Sequence, residues 1–163
     1  MPTSQRLEYR KPTLSDLDFF RAYLSDPLLT RFLPNERPYP EAMIAAYLQS
    51  RIAHWETHGF GSYLLTLNSQ TVGYAGLEFV PDTPYIDLRY GLVREVWGRG
   101  LAVEAAQACL AEGFRRELAE TLYGAAMLEN EASVAVLKKV GMKPCEVDLY
   151  GAEVEHFCTS RES

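Results

Sequence analysis

The segment Tyr90–Glu104, YGLVREVWGRGLAVE, combines residue types and spacing suited to binding an anion. An apolar strand pattern runs into a short stretch bearing Gly98 and Gly100, and a helical pattern follows at once. The first backbone N–H groups of a helix have no partner inside it and carry partial positive charge. Glycines let the chain curl until several such groups face one anion, and Arg99 adds a formal charge beside them. The same glycines also suit a plain strand-to-helix turn, and spacing alone leaves these two readings level. Two other phosphate motifs are excluded: no GxxxxGK[ST] spacing occurs, and GxGxxG fails at Val103.

The elements that must carry this segment follow from periodicity. A strand is expected at Arg6–Arg10, then a helix that opens at Thr13-Leu14-Ser15-Asp16 with Leu14, Leu17, Phe20 and Leu24 on one stripe. Pro27 should end that helix, and three prolines make Arg31–Pro40 an irregular connection. Pro40-Glu41 opens a second helix carrying Ile44, Leu48, Ile52 and Trp55, with Gly59 as its stop. Ser62–Leu67, Thr71–Val80 and Tyr85–Val93 read as an antiparallel meander. In the third of these strands Asp87, Arg89 and Gly91 share one face, and Ile86, Leu88, Tyr90 and Leu92 the other.

A helix from Gly100 to about Leu118 follows, then a strand at Leu122–Leu128. Asn130 caps a helix that runs to Val140, with Lys138 and Lys139 in its last turn and Gly141 beyond. Two last strands, Lys143–Leu149 and Ala152–Thr159, flank Tyr150-Gly151. With no linker, repeat or low-complexity tract, residues 1–163 read as a single α/β domain.

Composition narrows the function. Sixteen Lys and Arg against 22 Asp and Glu leave a net charge of −6, which disfavours nucleic acid as a partner because phosphate binding draws on basic patches. No apolar run approaches a membrane span and MPTSQRLEYRK lacks a signal core, so neither a membrane partner nor export is expected, and the setting reads as cytoplasmic. Cys109, Cys145 and Cys158 are too scattered for a disulfide framework, and with His54, His58 and His156 they show no metal-ligand spacing.

Two blocks carry a resemblance. WGRGLAVEAA, then a strand, then ENEASVAVLKKVGM, resembles the GNAT superfamily of acetyl-CoA-dependent N-acetyltransferases, and within it the RimJ/RimL-like branch. The family's Q/R-x-x-G-x-G/A loop falls on Trp97-Gly98-Arg99-Gly100-Leu101-Ala102, where Trp97 departs from the general motif but is usual in this branch. Asn130, Ser133 and Leu137–Met142 match N-x-x-S-x-x-x-L-x-K-x-G-F, with Met142 replacing the aromatic. RLEYRKPTLSDLDFF and HGFGSYLL…VGYAGLEF resemble the branch's opening strand–helix and central hairpin, so the likeness spans nearly the whole chain.

The resemblance implies a mixed sheet of about seven strands, mostly antiparallel with one splayed parallel pair, and about four flanking helices. It implies acetyl-CoA as co-substrate, no metal, and an amine acceptor; homodimers are common in the family. The coenzyme diphosphate would lie on the amides of Gly98, Arg99, Gly100, Leu101, Ala102 and Val103. Its pantetheine would pair with the backbone of Leu92 and Val93, near an oxyanion donor at Leu92, and reach Asn130, which is also a plain helix cap.

Acetyl transfer needs a base for the amine, and the carboxylates beside this cleft are Asp87 and Glu78. Each has a bland alternative: Asp87 pairing with Arg89, and Glu78 on a solvated strand end. Ser133 lies near the thiol or satisfies its own helix turn. The tyrosine that protonates thiolate in some relatives aligns with Leu137, and a glutamate base aligns with Ala125. Acceptor contacts are expected from the N-terminal helices, Arg31–Pro40 and the hairpin around Tyr150–His156. A catalytically idle acyl-CoA sensor and a phosphate-binding module stay open as alternatives.

Overall fold

The computed structural model describes residues 1–161. Strand β1 (Glu8–Arg10) leads through a 3-10 turn at Leu14–Asp16 into helices α1 (Leu17–Leu24), α2 (Pro27–Thr30) and α3 (Glu41–His58). The meander β2 (Ser62–Leu67), β3 (Gln70–Phe79) and β4 (Ile86–Leu92) follows. A second 3-10 turn, Arg94–Val96, joins β4 to α4 (Leu101–Arg115). The chain then forms β5 (Thr121–Met127), α5 (Glu131–Lys139), β6 (Lys143–Pro144) and β7 (Val154–Ser160). Among the described residues the strands make one mixed sheet in the order β1-β2-β3-β4-β5-β7-β6, in which only β4 and β5 run parallel. Among the described residues the seven strands match expectation, and five α-helices replace about four.

Side-chain alternation along the strands builds a core on each face of the sheet. Leu65, Ala75, Leu77, Leu88 and Leu92 pack with Leu101, Ala105 and Cys109 of α4 and Leu137 of α5. Leu64 and Tyr74 point the other way, against Phe20, Tyr23 and Leu24 of α1 and Ile44 and Leu48 of α3. Gly91 permits that second core to close, since a Cβ there would lie 2.2 Å from the Tyr23 hydroxyl and 2.8 Å from the Tyr74 ring.

Several local expectations change. Leu14 is 69% exposed, because the tight 3-10 turn takes it off the α1 stripe. Pro27 ends nothing: it occupies the first turn of α2, where its missing N–H costs no bond, and the Asp26 side chain accepts from Leu28 N–H. The expected strand Lys143–Leu149 shrinks to two residues. Beyond it, His156 Nε2 accepts from the N–H groups of Leu149 (3.1 Å) and Tyr150 (3.2 Å), and Asp148 accepts from Gly151 N–H at 2.8 Å. At Leu149–Gly151 side chains, not a ladder, take the backbone N–H groups.

Candidate active site

The parallel pair is short. Asp87 lies opposite Tyr123 and Leu88 opposite Gly124, and there the ladder stops. Each strand stays paired on its outer edge, β4 to β3 as far as Leu92 and β5 to β7 along its length, so Arg89–Leu92 and Ala125–Met127 diverge as the walls of a cleft. Val93 N–H donates to Val72 O at 2.8 Å, which by the alternation of an antiparallel ladder turns the polar groups of Leu92 into the cleft. The expectation for this backbone is therefore corrected in part: the Val93 amide is spent inside the sheet, and the Leu92 carbonyl accepts from Trp97 Nε1 at 2.9 Å. The Leu92 N–H faces the cleft.

At the cleft mouth the chain forms the turn read from the sequence. Gly98 (φ 80°) and Gly100 (φ 75°) adopt the left-handed conformation, and Gly100 caps α4. Glu104 is the first residue to close a bond onto this turn, its N–H donating to Gly100 O at 3.1 Å. The N–H groups of Gly100, Leu101, Ala102 and Val103 have no acceptor among the described residues. Open space surrounds the Cβ position of Gly98, so its requirement is one of conformation. Arg99 is exposed and unpaired with any carboxylate among the described residues.

Arg6, which the sequence reading did not assign, joins this group. Its Nη1 donates to Arg99 O at 2.9 Å, and its Nε to Glu104 Oε1 at 2.8 Å. Glu104 also accepts from Ser4 Oγ, Arg6 N–H and Leu7 N–H, fastening the N-terminal segment to α4. Burial opposes the Glu104 charge, but these donors outweigh it and hold its carboxyl below its usual range. A contact between residues about a hundred positions apart leaves no local trace in sequence.

On the second wall Asn130 Oδ1 caps α5 by accepting from Ser133 N–H at 3.2 Å. Its amide Nδ2 has no partner among the described residues, so capping leaves a donor available. Ser133 Oγ lies 2.7 Å from the Tyr90 hydroxyl, which spans the cleft from β4. Burial pushes the Tyr90 phenol up to about 12, so it stands as a neutral hydroxyl at neutral pH. Leu137, in place of the family tyrosine, is buried and would meet a Cβ on Gly124 at 2.9 Å.

The two carboxylates lie on the α1–α3 face, paired across β3 and β4. The reading of Glu78 as solvated is overturned: it is 2% exposed. Its Oε2 accepts from Ser62 Oγ at 3.0 Å and lies 3.0 Å from Arg51 Nε, and its Oε1 accepts from Arg89 Nη1 at 3.1 Å. A carboxylate so enclosed anchors its neighbours and is closed to a substrate. Asp87 is also buried, and its Oδ1 accepts from Arg89 Nε at 3.0 Å. Its Oδ2 accepts from the Tyr150 hydroxyl, so the loop between β6 and β7 reaches the base position. Burial raises the Asp87 carboxyl above its ordinary range, against the pull of Arg89 and the Tyr150 bond.

His54 and His156 have structural bonds. His156 Nε2 is an acceptor for two backbone N–H groups, so the ring N–H sits on Nδ1. His54 bridges Phe60 O (2.8 Å) and Phe79 N–H (3.0 Å). Tyr150 and Asp87 were each legible as candidates; their bond, 63 residues apart in sequence, was not.

A mixed sheet opened at its one parallel pair, with unbonded helix amides at the mouth, defines an enzyme of the acyltransferase class. A family model described as an acetyltransferase (GNAT) domain matches residues 6–143, and the chain belongs to the GNAT acetyltransferase family. An uncharacterized N-acetyltransferase, p20, of Bacillus licheniformis is 25% identical over 144 residues, or 86% of this chain and 80% of that protein. The crystal structure of an acetyltransferase from Agrobacterium tumefaciens matches with a TM-score of 0.89 at 22% identity, over 98% of this chain and 93% of that one. RimL, a ribosomal L7/L12 alpha-N-protein acetyltransferase solved in complex with coenzyme A, matches with a TM-score of 0.79 at 19% identity, over 98% and 96%. The fold likeness to RimL is consistent with the RimJ/RimL-like branch that the motifs resemble.

Proposed function

We propose that this enzyme moves the acetyl group of acetyl-CoA to a primary amine, a protein N-terminus or a small cytoplasmic amine, by direct attack in a ternary complex. The observation that carries this reading is the set of four unbonded amides at Gly100–Val103, set at the mouth of a cleft whose wall presents the Leu92 N–H. The diphosphate lies on those amides beside Gly98 and Arg99, Arg6 balances Glu104, and the pantetheine runs between β4 and β5 within reach of Asn130 Nδ2. The Leu92 N–H supports the oxyanion. Asp87 receives the proton that the attacking nitrogen sheds, Glu78 fixes Arg89 behind it, and Ser133 with Tyr90 lines the thiol end. Holding both reactants in one cleft is worth about 7–11 kcal/mol in favourable cases.

Two measurements test this. Calorimetry with acetyl-CoA is expected to show saturable binding, and its absence refutes the coenzyme assignment. Thiol release across a panel of N-terminal peptides, polyamines and aminoglycosides then separates enzyme from sensor, since tight binding without turnover on any amine supports the idle-sensor alternative.

A further inference from the structure

We infer that Tyr150 is a catalytic residue: its phenol passes the proton of the attacking amine to Asp87, which no acceptor can touch directly. The inference rests on the acetyl transfer proposed above.

Asp87 is 3% exposed, and both its oxygens are engaged, Oδ1 by Arg89 and Oδ2 by the Tyr150 hydroxyl. Tyr150 is 42% exposed and stands on the loop between β6 and β7, so it is the member of the pair that meets solvent. The loop is set rather than loose: His156 Nε2 holds the Leu149 and Tyr150 amides, and the His156 and Tyr150 rings are parallel to within 7°. His156 is thus a positioning residue.

The groups facing Asp87 act in both directions: Glu78 favours a proton there, whereas Arg89 and the Tyr150 bond favour the carboxylate. Arg89 shares its strand, Glu78 faces it from β3 with Arg51 of α3 behind, Tyr123 lies in register on β5, and His156 stands behind Tyr150 on β7. Burial lifts the Asp87 carboxyl, which brings it nearer the range useful to a base at neutral pH.

The step balances. The amine nitrogen attacks the thioester carbonyl, the C–N bond forms, and the nitrogen becomes cationic and acidic. One N–H proton moves to Tyr150 Oη as the phenolic proton moves to Asp87 Oδ2. The C–S bond breaks, the coenzyme thiolate takes a proton from water, and Asp87 later returns its proton to solvent through Tyr150. The sum is one amide and one thiol.

The test uses the full chain, acetyl-CoA and the best amine from the thiol-release panel. Tyr150→Phe removes one oxygen from a partly exposed ring, and a thermal melt checks the fold. It is expected to lower kcat about 100-fold, within the range for general base catalysis, with acetyl-CoA affinity unchanged. Asp87→Asn is expected to cost as much, and the double variant no more than either, because the two act as a unit. Should Asp87→Asn fail to fold, the pH profile decides: the acidic fall in wild-type kcat should vanish in Tyr150→Phe. A Tyr150→Phe enzyme within about threefold of wild-type kcat, additive losses, or an unchanged acidic limb overturns the relay while leaving the acetyl-transfer reading intact. A wild-type chain that binds acetyl-CoA but acetylates no amine overturns both.

Discussion

Gly100→Asp places a carboxylate where the coenzyme diphosphate is proposed to lie, and the structure says what else it does. A Cβ at Gly100 meets only Arg6 Nη2, at 3.8 Å, so no packing is lost. The φ of 75° costs a non-glycine residue about 1–2 kcal/mol. A negative charge at the start of α4 recovers about 0.3–1 kcal/mol from the helix dipole, so the variant should fold with little change. Binding is another matter. Unit charges about 5 Å apart at an effective dielectric of about 20 repel by about 3 kcal/mol, or about 100-fold in affinity. Gly100→Asn supplies the control, since asparagine tolerates the left-handed region and carries no charge. Titration calorimetry with acetyl-CoA should show Gly100→Asn close to wild type and Gly100→Asp weaker by about two orders of magnitude. Equal affinities for the two variants would refute the diphosphate assignment.

Glu78→Gln should cost about 3–5 kcal/mol in urea unfolding, because it strips Arg51 and Arg89 of the carboxylate between them. Glu104→Gln weakens the clamp on Ser4, Arg6 and Leu7, with a loss of about 1–3 kcal/mol and faster amide exchange at Arg6 and Leu7. Burial works against the Asp16 charge but is outweighed by Arg10 and Thr13, so its carboxyl lies below the ordinary range. The stabilisation is therefore complete above about pH 4 and is lost as pH falls through the lowered folded value; Asp16→Asn should flatten that part of a stability–pH curve.

Among these features, the ones written locally were legible in sequence. The meander β2–β4 follows from runs of aromatic and aliphatic residues separated by turn residues, and α5 from its Asn130 cap and closing lysines. The glycine turn at Gly98 and Gly100 was legible because positive φ is a requirement of single residues, and the amides after it are free by the geometry of any helix start. Two motif blocks in order supplied the family.

Where a property belongs to a pair distant in the chain, only the tertiary structure decided it. Glu78 read as a candidate base or a solvated strand end because nothing near it in sequence tells that Arg51 and Arg89 converge on it. The strand expected at Lys143–Leu149 followed its residue types, yet His156 takes the Leu149 and Tyr150 amides and leaves a loop. That loop brings Tyr150 to Asp87 and Trp97 folds back on Leu92, while Arg6 reaches the helix start through Glu104. Periodicity and capping encode which backbone groups each segment satisfies by itself; which side chains complete the remainder depends on how the segments stack, and packing alone sets that.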